Sequence, residues 1–142
     1  MDKSLKPLPS VSSVEWPFWD AAKRGELVLQ KCLECNKFIF YPRNFCPHCH
    51  SDSLTWEKAS GKGRIYTYTV VWSNSPSAFL QDIPFVIAII KLDEGVQMLS
   101  NLVGCRPEEV ACDMPVEVVF EKLNDEFTLP KFKPMNPDVK GN

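Results

Sequence analysis

The sequence of 142 residues lacks the long apolar runs that membrane insertion or export requires. No run approaches the ~18 apolar residues of a membrane-spanning helix. The first ten residues, MDKSLKPLPS, contain no apolar stretch of the signal-peptide type. A composition of 44% hydrophobic and 24% charged residues is ordinary for a globular protein and predicts a packed core. Because neither a membrane-spanning run nor a signal-peptide stretch is found, we expect a cytoplasmic protein with no membrane partner.

Groups that commonly carry out catalysis are also scarce. The sequence has no glycine-rich phosphate loop, no G-x-S-x-G nucleophile motif and no H-E-x-x-H motif. Its two histidines, His48 and His50, lie within or beside a cysteine pair, and Cys105 and Cys112 have no histidine near them in the sequence. We therefore expect no catalytic residue in this chain, and we interpret the two isolated cysteines as buried free thiols.

A strongly basic segment is missing as well. Residues 60–125 carry five basic and nine acidic side chains, a net charge of −4. Nucleic-acid binding needs basic side chains for the phosphates and aromatic side chains for base stacking. Tyr66, Tyr68 and Trp72 supply aromatic rings, but Arg64 is the only basic residue on that predicted strand. A single-stranded nucleic-acid-binding module is thus the less favoured alternative, and we expect no nucleic-acid partner.

What the sequence does contain is a pair of C-x-x-C motifs separated by ten residues, Cys32 with Cys35 and Cys46 with Cys49. In a reducing compartment such pairs indicate a metal site rather than disulfides. Two pairs supply the tetrahedral set of four thiolates that zinc prefers, although iron accepts the same ligands. Four thiolates leave no position for a reactive water. We therefore predict one structural zinc ion that stabilises a segment too short to fold alone.

The remaining pattern is mainly β. Residues 14–25 predict a short helix with aromatic residues on two faces, which fits packing within the chain or against a partner. After a G-K-G turn at 61–63, runs at 64–72, 85–92, 97–103 and 116–123 predict strands, with a helical turn near 106–115. Prolines in the tail predict a surface segment with no central strand. The predicted order is an N-terminal arm and helix (1–26), a zinc ribbon (27–59), a small OB-type β-barrel (60–125) and an extended C-terminal tail (126–142).

Nine short motifs follow one another along almost the whole chain. They are WPFWDAAKRGEL (16–27), KCLEC (31–35), YPRNFCPHC (41–49), SGKG (60–63), IYTYTVV (65–71), IPFVIAII (83–90), LDEG (92–95), DMPVEVVF (113–120) and LPKFKP (129–134). Each is weak alone, but their order and spacing resemble the zinc-ribbon/OB-fold family of acyl-CoA-associated proteins. Asn36 stands where that family often has a knuckle glycine, which asparagine can replace because it also tolerates a left-handed backbone.

The resemblance implies a non-catalytic accessory subunit of a thiolase-type complex that forms or cleaves C–C bonds of acyl-CoA. Such a subunit stabilises a thiolase or thiolase-like partner and helps to bind or guide the CoA thioester, while the partner supplies the catalytic residues. Two alternatives within the same chemistry are a partner of an acyl-CoA hydratase and a free-standing acyl-CoA carrier.

The resemblance also implies two sets of site residues. We predict CoA contacts at Arg43, Arg64, Trp72 and Phe79, with a structural hydrogen bond to the ribbon as the alternative role of Arg43. We predict a partner interface at Trp16, Phe18, Trp19 and Phe132.

Overall fold

A computed structural model describes residues 11–73 and 83–135. The predicted helix begins with a 3₁₀ turn, Ser13–Glu15, and continues as α1, Trp16–Lys23. It ends where Gly25 adopts a positive φ of 78°, and the N–H groups of Gly25 and Glu26 donate to the carbonyls of Ala22 and Ala21. This is the Schellman arrangement, which favours glycine because a side chain is strained there. None of the helices in the described residues has the length and apolar character that crossing a bilayer requires.

The cysteine-rich segment forms a small antiparallel sheet of three strands in the order β2-β1-β3. Its strands are β1 Val28–Cys32, β2 Phe38–Ile39 and β3 Leu54–Lys58. The sequence predicts strands at 27–30, 38–41 and 54–57, and all three are present with ends that differ by up to two residues. The first cysteine pair begins at Cys32, the last residue of β1. The second pair lies in the loop between β2 and β3, and both of these strands pair with β1.

The rest of the chain closes into a five-stranded barrel in the order β4-β5-β6-β8-β7, as the OB-type prediction requires. All pairs are antiparallel except β6 with β8, where Leu102 lies opposite Phe132 in a parallel pair. A 3₁₀ turn, Pro107–Glu109, occupies part of the segment expected to be helical. The strands are β4 Lys62–Val71, β5 Phe85–Leu92, β6 Gln97–Leu102, β7 Pro115–Lys122 and β8 Thr128–Pro134.

Two sequence predictions about this barrel are wrong. The tail does contain a central strand, because β8 lies between β6 and β7 and closes the barrel. The G-K-G turn is also shorter than expected, since Gly63 already belongs to β4. Prolines at positions 130 and 134 are compatible with β8 because a proline keeps its carbonyl as an acceptor and loses only its N–H.

The core is continuous from the helix through the ribbon sheet into the barrel. Phe18 of α1 and Leu29 of β1 belong to the same buried cluster as Ile65, Ile90 and Phe132 of the barrel. A second, much smaller cluster surrounds the cysteines. The ribbon sheet and the barrel are therefore held together by apolar packing, whereas the end of the ribbon that carries the cysteines has little core of its own.

A β-bulge at Tyr66 resets the alternation of β4. Ile65 pairs with Ile90, but Thr67 pairs with Ile89, so one extra residue lies between them. After the bulge, Tyr68 and Val70 lie opposite the buried residues Ala88 and Val86. The intervening positions of three neighbouring strands consequently point away from the core. We call this surface the outer face; it consists of Thr67, Thr69, Val71, Phe85, Ile87, Ile89, Leu99 and Asn101.

Candidate functional site: a four-sulfur metal centre and a cleft beside it

The four predicted ligands converge on one point. The Sγ atoms of Cys32, Cys35, Cys46 and Cys49 all lie within 4.8 Å of one another. Cys32 Sγ is 3.5 Å from Cys49 Sγ, and Cys35 Sγ is 3.6 Å from Cys46 Sγ. Zinc–sulfur bonds of about 2.3 Å in a tetrahedron place the sulfurs about 3.8 Å apart, so the cradle fits the ion. Each contact joins one cysteine pair to the other.

The two pairs are built from the same local turn. In the first, the N–H of Asn36 donates to the carbonyl of Cys32, and in the second the N–H of His50 donates to the carbonyl of Cys46, both at 2.9 Å. Asn36 and His50 have φ angles of 63° and 66°. The left-handed backbone predicted for Asn36 is thus present, and His50 uses the same conformation at the equivalent place.

The pKa is lowered for two of the four thiols, Cys32 and Cys46, and raised for the other two, Cys35 and Cys49, although a backbone N–H donates to each of them. Burial raises the pKa of Cys46, but hydrogen bonds from the backbone N–H groups of Cys49 and His48 outweigh it and lower the pKa to about 7. The backbone N–H of Ser51 lowers the pKa of Cys49, but hydrogen bonding to Cys32 and burial raise it to about 12. Four neighbouring thiols cannot all ionise without a cation, so metal binding releases protons from this site.

The arrangement is closed, and its donor set suits a structural ion. With four thiolates around it, a tetrahedral ion has no open position, and neither His48 nor His50 is needed as a ligand. Of the cysteines outside the centre, Cys105 is half-buried and Cys112 is exposed. The prediction that both are buried is therefore wrong for Cys112, which lies in a surface turn just before β7.

Gln30 holds Arg43 in place beside the metal centre. Although Gln30 is only 3% exposed, both ends of its amide are satisfied by the backbone of Arg43. The structural hydrogen bond to the ribbon, which the sequence offered as the alternative role of Arg43, is therefore made by its backbone. Its side chain is exposed and forms no ion pair within the described part of the chain.

The structure does not bring the predicted CoA-contact residues together. Arg64 lies near the start of β4 and donates to the carbonyl of Asp113 at 2.9 Å. Trp72 follows the end of the same strand and is 59% exposed. At about 3.3 Å per residue, eight residues of strand separate them by roughly 26 Å. Phe79 lies outside the described residues.

Arg43 instead lines a cleft of about 660 Å³ between the ribbon and the β5–β6 hairpin. Lys37, Phe38 and Phe40 line it from the ribbon, and Glu94 lines it from the hairpin turn. Sequence reasoning did not identify Lys37 or Glu94. Glu94 belongs to the LDEG motif (92–95), which is typical of a hairpin turn and gives no information about what the turn faces.

Two of the predicted interface residues lie inside the chain. Phe132 is 0% exposed and Phe18 is 6% exposed, so neither is available to a partner. Trp16 and Trp19 both pack on Phe127, with ring centroids 6.4 Å and 5.4 Å apart, and Trp16 remains exposed. The outer face, which is largely apolar, was not predicted as an interface because β5 is an almost unbroken apolar run, in which the sequence does not distinguish inward from outward residues.

Two family models cover consecutive parts of the chain. One is described as the rubredoxin-like zinc ribbon domain of ChsH2 and matches residues 19–55. The other is described as the C-terminal OB-fold domain of ChsH2 and matches residues 56–121. The four-cysteine centre and the five-stranded barrel lie in the corresponding parts of the structure.

The chain is also similar to individual proteins. A DUF35 domain-containing scaffold protein of Methanothermobacter thermautotrophicus is 40% identical over 106 residues, which cover 73% of this chain and 78% of the relative. A probable enoyl-CoA hydratase alpha subunit of Thermomonospora curvata is 35% identical over 135 residues, which cover 95% of this chain. This chain spans only 42% of that relative's length.

Among solved structures, a chain described as Ltp2-ChsH2(DUF35) aldolase superposes with a TM-score of 0.82 and 34% sequence identity. The match covers 89% of this chain and 98% of that chain. The family expected from the order of the sequence motifs is thereby confirmed. The chain belongs to the DUF35 family, in which a rubredoxin-like zinc ribbon precedes an OB-fold barrel.

Proposed function

We propose that the chain is a non-catalytic accessory subunit of a thiolase-type enzyme that forms or cleaves C–C bonds of acyl-CoA. In this role it stabilises the catalytic partner and helps to bind or guide the CoA thioester. Its four-cysteine centre holds a structural zinc ion. The partner supplies the catalytic residues. Among the described residues, the four cysteines form the one group of three or more His, Cys, Asp or Glu side chains placed to hold a metal ion, and four thiolates leave that ion no open position.

The observation that carries this proposal is the outer face. Leu99 is 57% exposed, and Ile87 and Ile89 beside it are only partly covered. Three adjacent strands thus present apolar side chains on the outside of a barrel whose interior is already filled. A contiguous exposed apolar surface of this kind marks a protein–protein contact more often than a scattered single residue does. Apolar side chains at the centre of an interface supply most of its binding energy.

The relatives support an assembly of this kind. One is named as a scaffold protein, one as a probable hydratase alpha subunit, and one solved relative as an aldolase that combines Ltp2 with ChsH2. These names associate similar chains with other subunits and, in the hydratase, with CoA chemistry. The hydratase similarity extends over 95% of this chain, so an acyl-CoA hydratase is the second candidate partner.

Co-purification tests the proposal directly. The chain is co-expressed with a tagged thiolase-type enzyme from the same genome, and in parallel with a tagged acyl-CoA hydratase. Complex formation is measured by size-exclusion chromatography, and turnover of a CoA thioester is measured with and without the chain. We expect a stable complex with the thiolase-type enzyme and no turnover by the chain alone.

Two matched variants locate the interface. Leu99→Asp places a charge on an exposed side chain of the outer face and is expected to weaken the complex at least tenfold. Leu33→Asp makes the same change at a position that is 60% exposed on the ribbon, and it should leave the complex intact. A complex that is lost with Leu33→Asp and kept with Leu99→Asp would place the interface on the ribbon and remove the outer face from the proposal.

Other outcomes favour the rival functions. A complex with the hydratase alone identifies the second candidate partner. Tight CoA binding without any complex indicates a free-standing carrier. Binding of short single-stranded oligonucleotides that weakens steeply with salt indicates a nucleic-acid module.

A further inference from the structure

We propose that two copies of this chain form a symmetric homodimer through β4, in which residues 68–72 of one copy pair antiparallel with the same residues of the other. This pairing would join the sheets of the two barrels into one continuous sheet about a two-fold axis. The inference is independent of the proposed function, because it concerns self-association and not the catalytic partner.

The first part of β4 has a neighbour on each side, but the second part does not. Residues 62–64 pair with β7, and Ile65 forms backbone hydrogen bonds with Asp113 and Met114, which precede β7. From Thr67 onward, β5 is the one described strand that pairs with β4. We call residues 68–72, which are the end of β4 and the tryptophan that follows it, the open edge.

The pairing of β5 determines which backbone groups face outward at the open edge. The N–H of Leu92 donates to the carbonyl of Val96 on the β6 side, so every second residue of β5 counted back from Leu92 faces β6. Tyr68 and Val70 lie opposite two of these residues and therefore turn their N–H and carbonyl groups away from β5. Within the described residues, no other backbone or side-chain group forms a hydrogen bond with either of them.

A comparable opening beside β6 is closed by side chains. The strands β6 and β8 meet at one pair of residues. Next to that pair, the hydroxyl of Tyr41 accepts a hydrogen bond from the N–H of Leu99 at 3.2 Å, and the hydroxyl of Ser100 donates to the carbonyl of Pro130 at 2.9 Å. The part of the chain that the structure describes offers no such group to the open edge, which therefore keeps unused backbone donors and acceptors.

The residues of the open edge do not protect it from pairing. Proteins usually discourage pairing of an exposed edge strand with charged residues or proline. The sequence IYTYTVVW (65–72) contains neither, and its residues are β-branched or aromatic, which favours strand pairing. Four consecutive residues, 66–69, are exposed. An edge with these properties favours coverage by another strand.

A second copy fits this edge because the edge is complementary to itself. Val70 is the middle of the open edge, so antiparallel pairing about Val70 engages its whole length. Tyr68 then lies opposite Trp72 of the second copy, and Thr69 lies opposite Val71. Aromatic and β-branched cross-strand pairs stabilise a sheet, and no like charges are placed opposite each other. Trp72, which is 59% exposed, gains an aromatic neighbour in this arrangement.

Sedimentation equilibrium of the metal-loaded chain over a dilution series tests the inference, and we expect a monomer–dimer equilibrium. Val70→Pro removes the outward N–H and spares the ladder with β5, so it should raise the dissociation constant of the dimer about tenfold or more. Val70→Ala keeps that N–H and should weaken the dimer less. A chain that is monomeric at every concentration, or a dimer that Val70→Pro does not weaken, would overturn the inference.

Cross-linking tests the register and does not depend on the folding of Val70→Pro. In a Cys112→Ser background, Val70→Cys places two thiols across the two-fold axis, where the paired Cα atoms lie about 5.5 Å apart and a disulfide can form. Val71→Cys is the matched control, because its two copies would lie roughly 8 Å apart, beyond disulfide reach. Oxidised glutathione should convert Val70→Cys, and not Val71→Cys, into a covalent dimer on non-reducing electrophoresis. Equal cross-linking of the two variants would contradict the pairing.

The homodimer and the proposed function can be tested separately. Leu99 lies on β6, and β5 separates β6 from β4, so pairing through the open edge leaves Leu99 exposed. Leu99→Asp should therefore leave self-association unchanged. A chain that is monomeric alone, and whose complex with the catalytic partner is weakened by Val70→Pro, would assign the open edge to a strand of that partner and overturn the homodimer. A homodimer that binds no catalytic partner would contradict the proposed function alone.

Discussion

The side-chain amide of Gln30 forms two hydrogen bonds with the backbone of Arg43. Gln30 Oε1 accepts from the N–H of Arg43 at 2.7 Å, and Gln30 Nε2 donates to its carbonyl at 2.9 Å. Gln30 lies in the middle of β1, whereas Arg43 lies in the loop that leads to the second cysteine pair. The buried amide of Gln30 therefore makes the two hydrogen bonds that a neighbouring strand would make to Arg43, and it fixes the path of that loop.

Replacing Gln30 by Leu should destabilise the metal-bound protein by about 2–4 kcal/mol, because it leaves a backbone N–H and a carbonyl without partners. Urea denaturation followed by far-UV circular dichroism measures the change. Gln97→Leu, at an exposed position of β6, is the control and should change the free energy of unfolding by less than about 0.5 kcal/mol. Equal effects of the two substitutions would contradict the role given to the Gln30 amide.

Removal of the metal should unfold the cysteine-bearing end of the ribbon, because the cluster around it contains only Cys32, Ile39 and Cys46 as buried residues. Cys46→Ser should lower zinc affinity more than about 100-fold, beyond the usual effect of changes outside the ligand shell. Cys112→Ser, at an exposed thiol outside the centre, should retain one zinc per chain by atomic absorption. A Cys46→Ser variant with full zinc content would contradict the ligand assignment.

Zinc binding should also weaken as the pH falls. The metal-bound thiolates carry no protons, whereas the metal-free thiols do, so acid favours the metal-free form. As the pH falls, Cys49, whose pKa is raised to about 12, takes up its proton before Cys46, whose pKa is lowered to about 7. Zinc affinity measured with a competing chelator should therefore drop as the pH decreases. Below pH 7 this drop should be steeper than for a site in which only one ligand loses a proton on metal binding.

The metal centre could be predicted from the sequence because its ligands lie in two local turns. Each C-x-x-C pair sets its own geometry, and only ten residues separate the pairs. The cleft could not be predicted, because Arg43 and Glu94 line the same cleft only when the β5–β6 hairpin packs against the ribbon. No local pattern in the sequence encodes that contact.

The strands of the barrel were predicted where they alternate or are strongly apolar, as in β5. The strand β8 was missed because its prolines argue against a central strand, although its other backbone groups still form the ladder with β7. The outer face was missed for a different reason. Its apolar residues lie mainly on β5, where an almost unbroken apolar run hides which side chains point inward and which point outward.

Phe132→Ala tests the place of β8 in the core. The side chain is 0% exposed, so its removal should destabilise the protein by about 3–5 kcal/mol. Phe45→Ala, the same change at a residue that is 60% exposed on the ribbon, should cost less than about 0.5 kcal/mol. Thermal unfolding of the two variants measures the difference. A Phe132→Ala protein of normal stability that failed to bind a partner would restore the interface role expected from the sequence.

Gly63 should be as necessary to the barrel as a buried side chain. A Cβ at this position would lie 2.5 Å from the carbonyl oxygen of Lys91 and 3.0 Å from Cα of Leu92, both backbone atoms of β5. Because β5 is held by ladders on both sides, it cannot move away without losing hydrogen bonds. Gly63→Ala should therefore destabilise the barrel by about 1–3 kcal/mol.

Hydrogen exchange separates this steric effect from an ordinary loss of glycine. In Gly63→Ala the amides of β4 and β5 should exchange faster, because the close approach of the two strands is lost. In Gly25→Ala, where no atom lies within 4 Å of the new Cβ, only the positive φ is disfavoured. Faster exchange should then be confined to the end of α1. Unchanged protection of β4 and β5 in Gly63→Ala would mean that a Cβ fits between the strands without disturbing their pairing, which would contradict the steric need for glycine at this position.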